Sequence, residues 1–310
     1  LLALMALGVA PGEAVLVPAF TFAATAEAGA RPGAVPLVVD VAEADLAMAP
    51  SSQEQGIATA RRLGLRPVGA VAVDLYGHPA PYDRLAAVAG AAGLWLVADA
   101  AQSFGAGFRG RRVGTLARAT AVSFYPSKPL GCYGDGGALL TDDPDLAALA
   151  RSLREHGQEG GRYRHARIGT NARLDTLQAA ILLEKLRIFE DETLARARIA
   201  ERYRAGLAGA VDVPGAGQGA SPVWAHYTVR SPARDALRTA LAAAGIASAI
   251  HYPAPLHHQP AYRRFPTAAA SLPVSERLAR EVLSLPMHPY LAPEAQDRVI
   301  GAVQAATAGR

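Results

Sequence analysis

Short apolar runs alternate with stretches of helical periodicity over residues 1–145. The runs at 14–17, 35–39, 69–74, 94–98, 119–124 and 138–141 have the length and composition of strands. Segments 21–29, 53–63 and 82–92 between them read as helices. Continuously apolar strands separated by helices predict a mostly parallel sheet covered on both faces. Such sheets bind ligands beyond the carboxyl ends of their strands, where Asp74, Asp99 and Ser123 fall. From 145 to 209 the pattern turns helical, with 173–189 and 191–207 as successive helices. A strand at 223–229 follows, then a helix at 233–244 closed by Gly245, the usual C-cap residue. A strand at 246–252 leads into a loop punctuated by Pro253, Pro255 and Pro260, and helices at 274–283 and 293–306 complete the chain. The pattern therefore predicts a large α/β domain over 1–190 and a smaller α+β domain over 191–310.

Composition narrows the function. With 51% hydrophobic and 19% charged residues among 310, the chain can bury a substantial core. The net charge of +4 comes from arginines scattered between helices, which argues against a nucleic-acid surface and leaves a modest preference for anionic ligands. The single Cys132 excludes an internal disulfide framework and a multi-cysteine zinc site. No apolar run has the length of a membrane span, and no signal-peptide pattern is present, so the expected location is the cytoplasm. His156, His257 and His258 lack the i,i+4 pairing and carboxylate company of a zinc helix, so no metal is expected. A Rossmann dehydrogenase needs a G-x-G-x-x-G turn after the first strand, and Val17-Pro18-Ala19-Phe20 is not one.

Two stretches carry candidate chemistry. The first is Ser123-Phe124-Tyr125-Pro126-Ser127-Lys128-Pro129-Leu130-Gly131-Cys132-Tyr133-Gly134-Asp135-Gly136-Gly137. Lys128 follows a strand directly, among prolines and crowded glycines, at the binding edge of the sheet. Partial desolvation there lowers a lysine pKa and makes neutral amine available for a Schiff base. Ser123 offers a hydroxyl to a phosphate, and the glycines let the backbone approach a flat ligand. The plainer alternative is a surface lysine in a glycine-rich hairpin. The second stretch is Leu94-Trp95-Leu96-Val97-Ala98-Asp99-Ala100-Ala101-Gln102-Ser103. A carboxylate ending an apolar strand needs a cationic partner. A pyridinium nitrogen is such a partner, and an aspartate there keeps pyridoxal phosphate (PLP) protonated as an electron sink. Gln102 can donate to the phenolic oxygen of the ring. The alternative for Asp99 is a cap on the following helix; its company with Lys128 favours the cofactor.

Further segments follow in a distinctive order: Val17-Pro18-Ala19-Phe20-Thr21-Phe22, Asp74-Leu75-Tyr76-Gly77, Asn171-Ala172-Arg173-Leu174-Asp175, His251-Tyr252-Pro253-Ala254-Pro255-Leu256-His257 and Leu283-Ser284-Leu285-Pro286-Met287. With the two stretches above, they make nearly the whole chain resemble the DegT/DnrJ/EryC1/StrS group of sugar aminotransferases. The resemblance implies the PLP-dependent transferase type I fold, an α/β fold with a mostly parallel, seven-stranded-type sheet sandwiched by helices and a smaller α+β C-terminal domain. It also implies pyridoxal 5′-phosphate as cofactor. Lys128 is then the Schiff-base lysine and the acid/base for the proton shift. Asp99 pairs with the pyridine nitrogen, Gln102 lies by the phenolic oxygen, Phe22 stacks on the ring and Ser123 binds the phosphate. Asn171 reaches the phosphate of a neighbouring subunit, with Arg173 beside it, which makes the active unit a homodimer with shared sites. His251 and Tyr252 lie near the nucleotide-sugar, and Tyr76 is a further candidate for the substrate pocket. From the residues alone, Phe22 is also readable as core, Asn171 as a helix cap, Arg173 as the partner of a nearby Glu, and Cys132 as structural.

The implied reaction moves an amino group from glutamate to a nucleotide-linked keto-sugar. Lys128-Pro129-Leu130-Gly131-Cys132-Tyr133-Gly134-Asp135, Arg173-Leu174-Asp175-Thr176-Leu177-Gln178, and Val223-Trp224 with Tyr227-Thr228-Val229-Arg230 most resemble enzymes acting on UDP-2-acetamido-2-deoxy-3-oxo-glucuronate, in surface polysaccharide synthesis. An arginine near the sugar, such as Arg173, suits a uronate carboxylate; relatives using 3-keto or 4-keto dTDP-sugars fit as well. Two other functions remain open: a PLP-dependent sugar dehydratase, which typically carries His in place of Lys128, and a catalytically impaired binding or regulatory protein. The chain opens with Leu1-Leu2-Ala3-Leu4, which reads as the middle of a helix. The resemblance places several dozen residues before it, including a Gly-Thr-type turn that cradles the cofactor phosphate.

Overall fold

The structure, a computed structural model, describes residues 1–308. The first half alternates strand and helix: α1 (Leu2–Ala6), β1 (Glu13–Pro18), α2 (Ala24–Ala30), β2 (Val35–Val39), α3 (Pro50–Arg62), β3 (Arg66–Val73), α4 (Tyr82–Ala91) and β4 (Trp95–Asp99). The short β5 (Gly107–Phe108) and β6 (Arg111–Arg112) precede β7 (Ala119–Ser123), β8 (Gly137–Leu140), α5 (Pro144–Arg154) and α6 (Thr176–Leu186). The remainder comprises α7 (Phe189–Leu207), β9 (Ala220–Ser221), β10 (Tyr227–Arg230), α8 (Arg234–Ala243), α9 (Pro273–Glu281), β11 (Val282–Leu285) and α10 (Pro293–Thr307).

The apolar strands form one sheet in the order β2-β1-β3-β4-β7-β8, which among the described residues has six strands. All its pairings are parallel except β7 with β8. Strand alternation sends successive residues to opposite faces, and both faces are buried. Val15, Val17, Val71, Val73 and Val97 join one cluster with Leu4, Ala26 and Leu278. Ala14, Leu16, Ala70, Ala72, Leu96 and Ala98 join another with Ile57, Ala60, Leu85 and Ala89 from α3 and α4. That double burial is why these strands are apolar throughout. A separate core gathers Ile199 and Tyr203 of α7, Leu237 and Leu241 of α8, and Val299 and Val303 of α10 around Tyr227, Val229, Leu283 and Leu285.

Beyond the main sheet the structure departs from the sequence reading, and the strand expected at 223–229 begins only at Tyr227. The expected strand at 246–252 is loop, with a single β-bridge, Ala249 to Ser284, pairing its backbone with β11 among the described residues. The helix expected to reach 283 stops at Glu281, and Val282–Leu285 become β11, antiparallel to β10. Val282 and Leu283 fit either pattern, and pairing with Tyr227–Arg230 decides between them. The helix expected from 173 begins at Thr176 after an extended Asp175.

Two contacts fasten this region over the main sheet. Beyond β2, Asp40 accepts from the Val274 and Ser275 backbone amides at 3.1 and 2.9 Å, and from the Ser275 hydroxyl at 2.6 Å. A side chain distant in sequence thus satisfies the free N–H groups that open α9. The Leu256 amide donates to the Ala19 carbonyl at 2.8 Å, so the 250–256 loop crosses the carboxyl end of β1.

Candidate active site

Asp99 ends β4, beside the ends of β3 and β7. Its Oδ2 accepts from the Thr25 hydroxyl of α2 at 2.7 Å, and its Oδ1 from the Ala101 amide at 3.2 Å. No α-helix follows it directly, so the capping alternative falls away. Behind it, the buried Asp74 takes hydrogen bonds from Ser103 Oγ (2.6 Å), Tyr82 Oη (2.7 Å) and the Ala80 amide (2.8 Å). Burial pushes the Asp74 pKa up to about 7 against those bonds. The Asp74 amide in turn donates to the Asp99 carbonyl at 3.0 Å, locking the two strand ends together.

Lys128 sits in the tight loop after β7. Its amide donates to the Tyr125 carbonyl at 2.9 Å, and the Cys132 amide returns to the Phe124 carbonyl at 2.8 Å. Gly131 permits this return, since a Cβ there would lie 2.5 Å from the Pro126 oxygen. Cys132 is buried, with Sγ donating to the Phe124 carbonyl at 2.9 Å, which is a structural role. Burial lowers the Lys128 pKa below the ordinary lysine value, and the nearby Asp99 carboxylate opposes that shift. The same lysine charge helps hold the pKa values of His251 and His226 down, after burial. Among the described residues the Lys128 amine has no hydrogen-bond partner. Because β4 and β7 are parallel neighbours, the Asp99 strand end and the loop carrying Lys128 lie at the same end of the sheet.

Around them the other residues interlock. Gln102 Oε1 accepts from the Tyr76 amide at 2.6 Å, while its Nε2 donates to Tyr252 Oη at 3.3 Å. Burial raises the Tyr252 pKa to about 12, so the phenol stays protonated near neutrality. The Tyr76 hydroxyl donates to the His251 carbonyl, and His251 Nδ1 lies 2.9 Å from Ser284 Oγ. Phe22 is 59% exposed, not core, and its ring centroid is 5.9 Å from that of Tyr252. Ser123 ends β7 and its Oγ accepts from the Tyr125 amide at 3.3 Å. Asn171 and Arg173 lie apart, on the exposed segment before α6. Asn171 pairs with Glu155 in a backbone bridge and caps no helix; the Arg173 guanidinium meets Glu155 Oε2 at 3.0 Å.

The turn under this cluster is strained. Tyr76 has φ +60°, and Gly77 has φ +91°. A Cβ on Gly77 would lie 2.8 Å from the Ala225 amide nitrogen and 3.0 Å from the Gln102 carbonyl oxygen. Gly77→Ala is expected to lower unfolding stability by about 1–3 kcal/mol. Denaturant melts of the two proteins check this, and an unchanged midpoint would show that the turn relaxes freely.

One residue of the cluster went unread in the sequence. His226 stacks on His251 at 4.4 Å and meets the Tyr76 ring edge-on at 6.1 Å. Strand alternation carried the signal: Tyr227 and Val229 face the small core, which turns His226 and Thr228 the other way. Elsewhere, His257, His258 and Glu276 bring ligand atoms within 4.8 Å of one another, supplying the carboxylate that spacing did not reveal. Glu276 Oε1 is already engaged by His257 Nε2 (3.2 Å) and the Leu272 amide (3.1 Å), which makes the group a brace for α9.

A mostly parallel sheet with Asp99 ending one strand and Lys128 in the loop after the neighbouring strand is the arrangement expected of fold type I enzymes that use PLP. The chain belongs to the DegT/DnrJ/EryC1/StrS aminotransferase family, whose model matches residues 1–304. It is 46% identical over 288 residues to the UDP-2-acetamido-2-deoxy-3-oxo-D-glucuronate aminotransferase of Pseudomonas aeruginosa, covering 93% of this chain and 77% of that protein. It is 44% identical over 305 residues to the dTDP-3-amino-3,4,6-trideoxy-alpha-D-glucose transaminase of Streptomyces venezuelae, covering 98% and 79%. The crystal structure of a DegT/DnrJ/EryC1/StrS aminotransferase from Brucella abortus superposes with a TM-score of 0.97 at 47% identity, over 100% of this chain and 83% of that one. Aminotransferases of this family depend on PLP. The donor set here fits that group: an anionic Oδ pair for the ring nitrogen, an unpartnered amine of lowered pKa, and an exposed phenyl ring. No helix among the described residues is long and apolar enough to cross a membrane.

Proposed function

We propose that this chain moves an amino group from glutamate to a nucleotide-linked keto-sugar, with a UDP-3-keto-hexuronate or related 3-keto sugar as acceptor. The observation that carries the reading is Lys128 beside Asp99, the lysine desolvated and free of partners. Asp99 holds the ring nitrogen, positioned by Thr25 and by the Asp74 backbone. Gln102 lies toward the phenolic oxygen, Phe22 covers the ring face and Ser123 takes the phosphate. Bound PLP supplies the electron sink that makes the donor and sugar carbons acidic. Lys128 would take a proton at its Nζ and return it, a transfer that its lowered pKa favours. The 250–256 loop is tied down at Leu256 and through the Tyr76 hydroxyl, which fixes His251 and Tyr252 beside the site. The names of the Pseudomonas and Streptomyces relatives support a 3-amino product and leave both UDP and dTDP in play. A panel of UDP- and dTDP-linked keto-sugars with glutamate tests the reading: turnover with a 3-keto sugar supports it, and no turnover with any member would overturn it.

The active unit proposed is a homodimer. Helix α6 exposes Leu177 (78%), Ala180 and Leu183 (64%) along one stripe, close in sequence to the exposed Asn171 and Arg173. An apolar stripe of this kind marks an association surface, and a second copy seated there would bring Asn171 and Arg173 toward the partner's site. Leu183→Asp is expected to shift the protein to monomer in sedimentation velocity and to cut activity at least about tenfold. A variant that stays dimeric would move the interface elsewhere.

A further inference from the structure

His226 is fixed in place yet has nothing to bond. Its amide donates to the Tyr76 carbonyl at 3.3 Å, and the strap before it is held by the Val223 amide on the Gly77 carbonyl at 3.0 Å. Its ring is clamped between the edge contact with Tyr76 and the stack on His251. Among the described residues, neither ring nitrogen has a hydrogen-bond partner, and neither is a fully buried orphan atom. An imidazole held this firmly by Tyr76 and His251, with an open polar edge, is placed to bond a partner that the chain itself does not supply.

The chemistry of that partner follows from the surroundings. Burial above all, and then the charges of His251, Lys128 and Arg196, disfavour a second proton on the ring. A neutral imidazole offers one donor and one acceptor. A hydroxyl matches both, whereas a carboxylate accepts only and calls for a cation. His251 contributes similarly, because Ser284 occupies its Nδ1 and no protein group among the described residues bonds its other nitrogen. Ser284 Oγ is in turn 2.8 Å from Thr228 Oγ1, so the two histidines are set by the same pair of strands, β10 and β11.

We infer that His226 is a substrate-contacting specificity residue, hydrogen-bonding a neutral ring hydroxyl of the sugar. The inference rests on the keto-sugar reading above and assigns a residue and a functional group within it.

Two variants test it. His226→Phe keeps the ring packing and removes the polar edge; His226→Gln keeps a donor and an acceptor. The probes are UDP-N-acetylglucosamine and UDP-glucuronate, titrated calorimetrically into the protein, together with the KM of the keto-sugar in the PLP-loaded enzyme. His226→Phe should weaken both UDP-sugars about tenfold, the scale of one lost hydrogen bond. It should raise the KM of the keto-sugar more than that of glutamate, and His226→Gln should recover most of the binding. Equal binding by wild type and His226→Phe overturns this inference while leaving the aminotransferase reading intact. A loss confined to UDP-glucuronate overturns it in favour of a carboxylate contact. Failure of the wild type to bind either sugar overturns this inference for UDP-sugars, and the keto-sugar turnover panel decides the aminotransferase reading separately.

Discussion

Lys128→Ala is expected to abolish amino transfer while leaving the fold and its stability nearly unchanged. The lysine amine makes no hydrogen bond among the described residues, and the backbone of its loop is held by Tyr125, Phe124 and Gly136 carbonyls. Removing the side chain therefore costs little packing. It removes the group that anchors the cofactor and the base that moves the proton, and the loss of a positioned base alone is worth about 10²–10⁴ in rate. Steady-state assays should find activity at background, with an unaltered far-ultraviolet spectrum and melting midpoint. Residual turnover within tenfold of wild type would remove Lys128 from the chemistry.

Asp99→Asn probes the opposite side of the site. Asparagine preserves shape, and its carbonyl oxygen can keep a bond from Thr25 or Ala101. What is lost is the negative charge. The expected cost is about 3–4 kcal/mol of barrier, or roughly 10²–10³ in rate, on the scale of other preorganised electrostatic contacts. A second consequence has a fixed sign. The Asp99 carboxylate now raises the Lys128 pKa against burial, so Asp99→Asn should lower that pKa further in the cofactor-free protein. Chemical labelling of Lys128 as a function of pH reads this directly. A normal rate, or a lysine pKa that rises, would place the aspartate elsewhere.

The sheet was legible because its strands are buried on both faces, so hydrophobic runs alone mark them; β2 was read to the residue. The positions of Asp99 and Ser123 at strand ends were legible for a related reason, since a polar residue ending an apolar strand stands out, and Lys128 was placed by the Pro- and Gly-rich loop that follows β7. The C-terminal region was harder. Val282–Leu285 continue the apolar pattern of α9, and only the partner strand β10 makes them a strand. Residues 246–252 look like a strand but are fixed by side chains: Tyr76 on the His251 carbonyl and Ser284 on its ring. Phe22 is exposed despite its apolar character, and its neighbour Tyr252 lies far away in sequence. For His226 the only signal was strand alternation from Tyr227 and Val229, and its contacts with His251 and Tyr76 are what give that signal meaning.

The sequence contains two lysines, Lys128 and Lys185, which makes one measurement decisive. Lys185 donates to the Gly131 carbonyl at 2.6 Å and lies over the Tyr133 ring, so it serves as an internal control. The protein is loaded with PLP, reduced with borohydride, digested and mapped by mass spectrometry. The account predicts the cofactor fixed on the peptide carrying Lys128, with Lys185 unmodified. A label on Lys185, or no stable label on either, would contradict it.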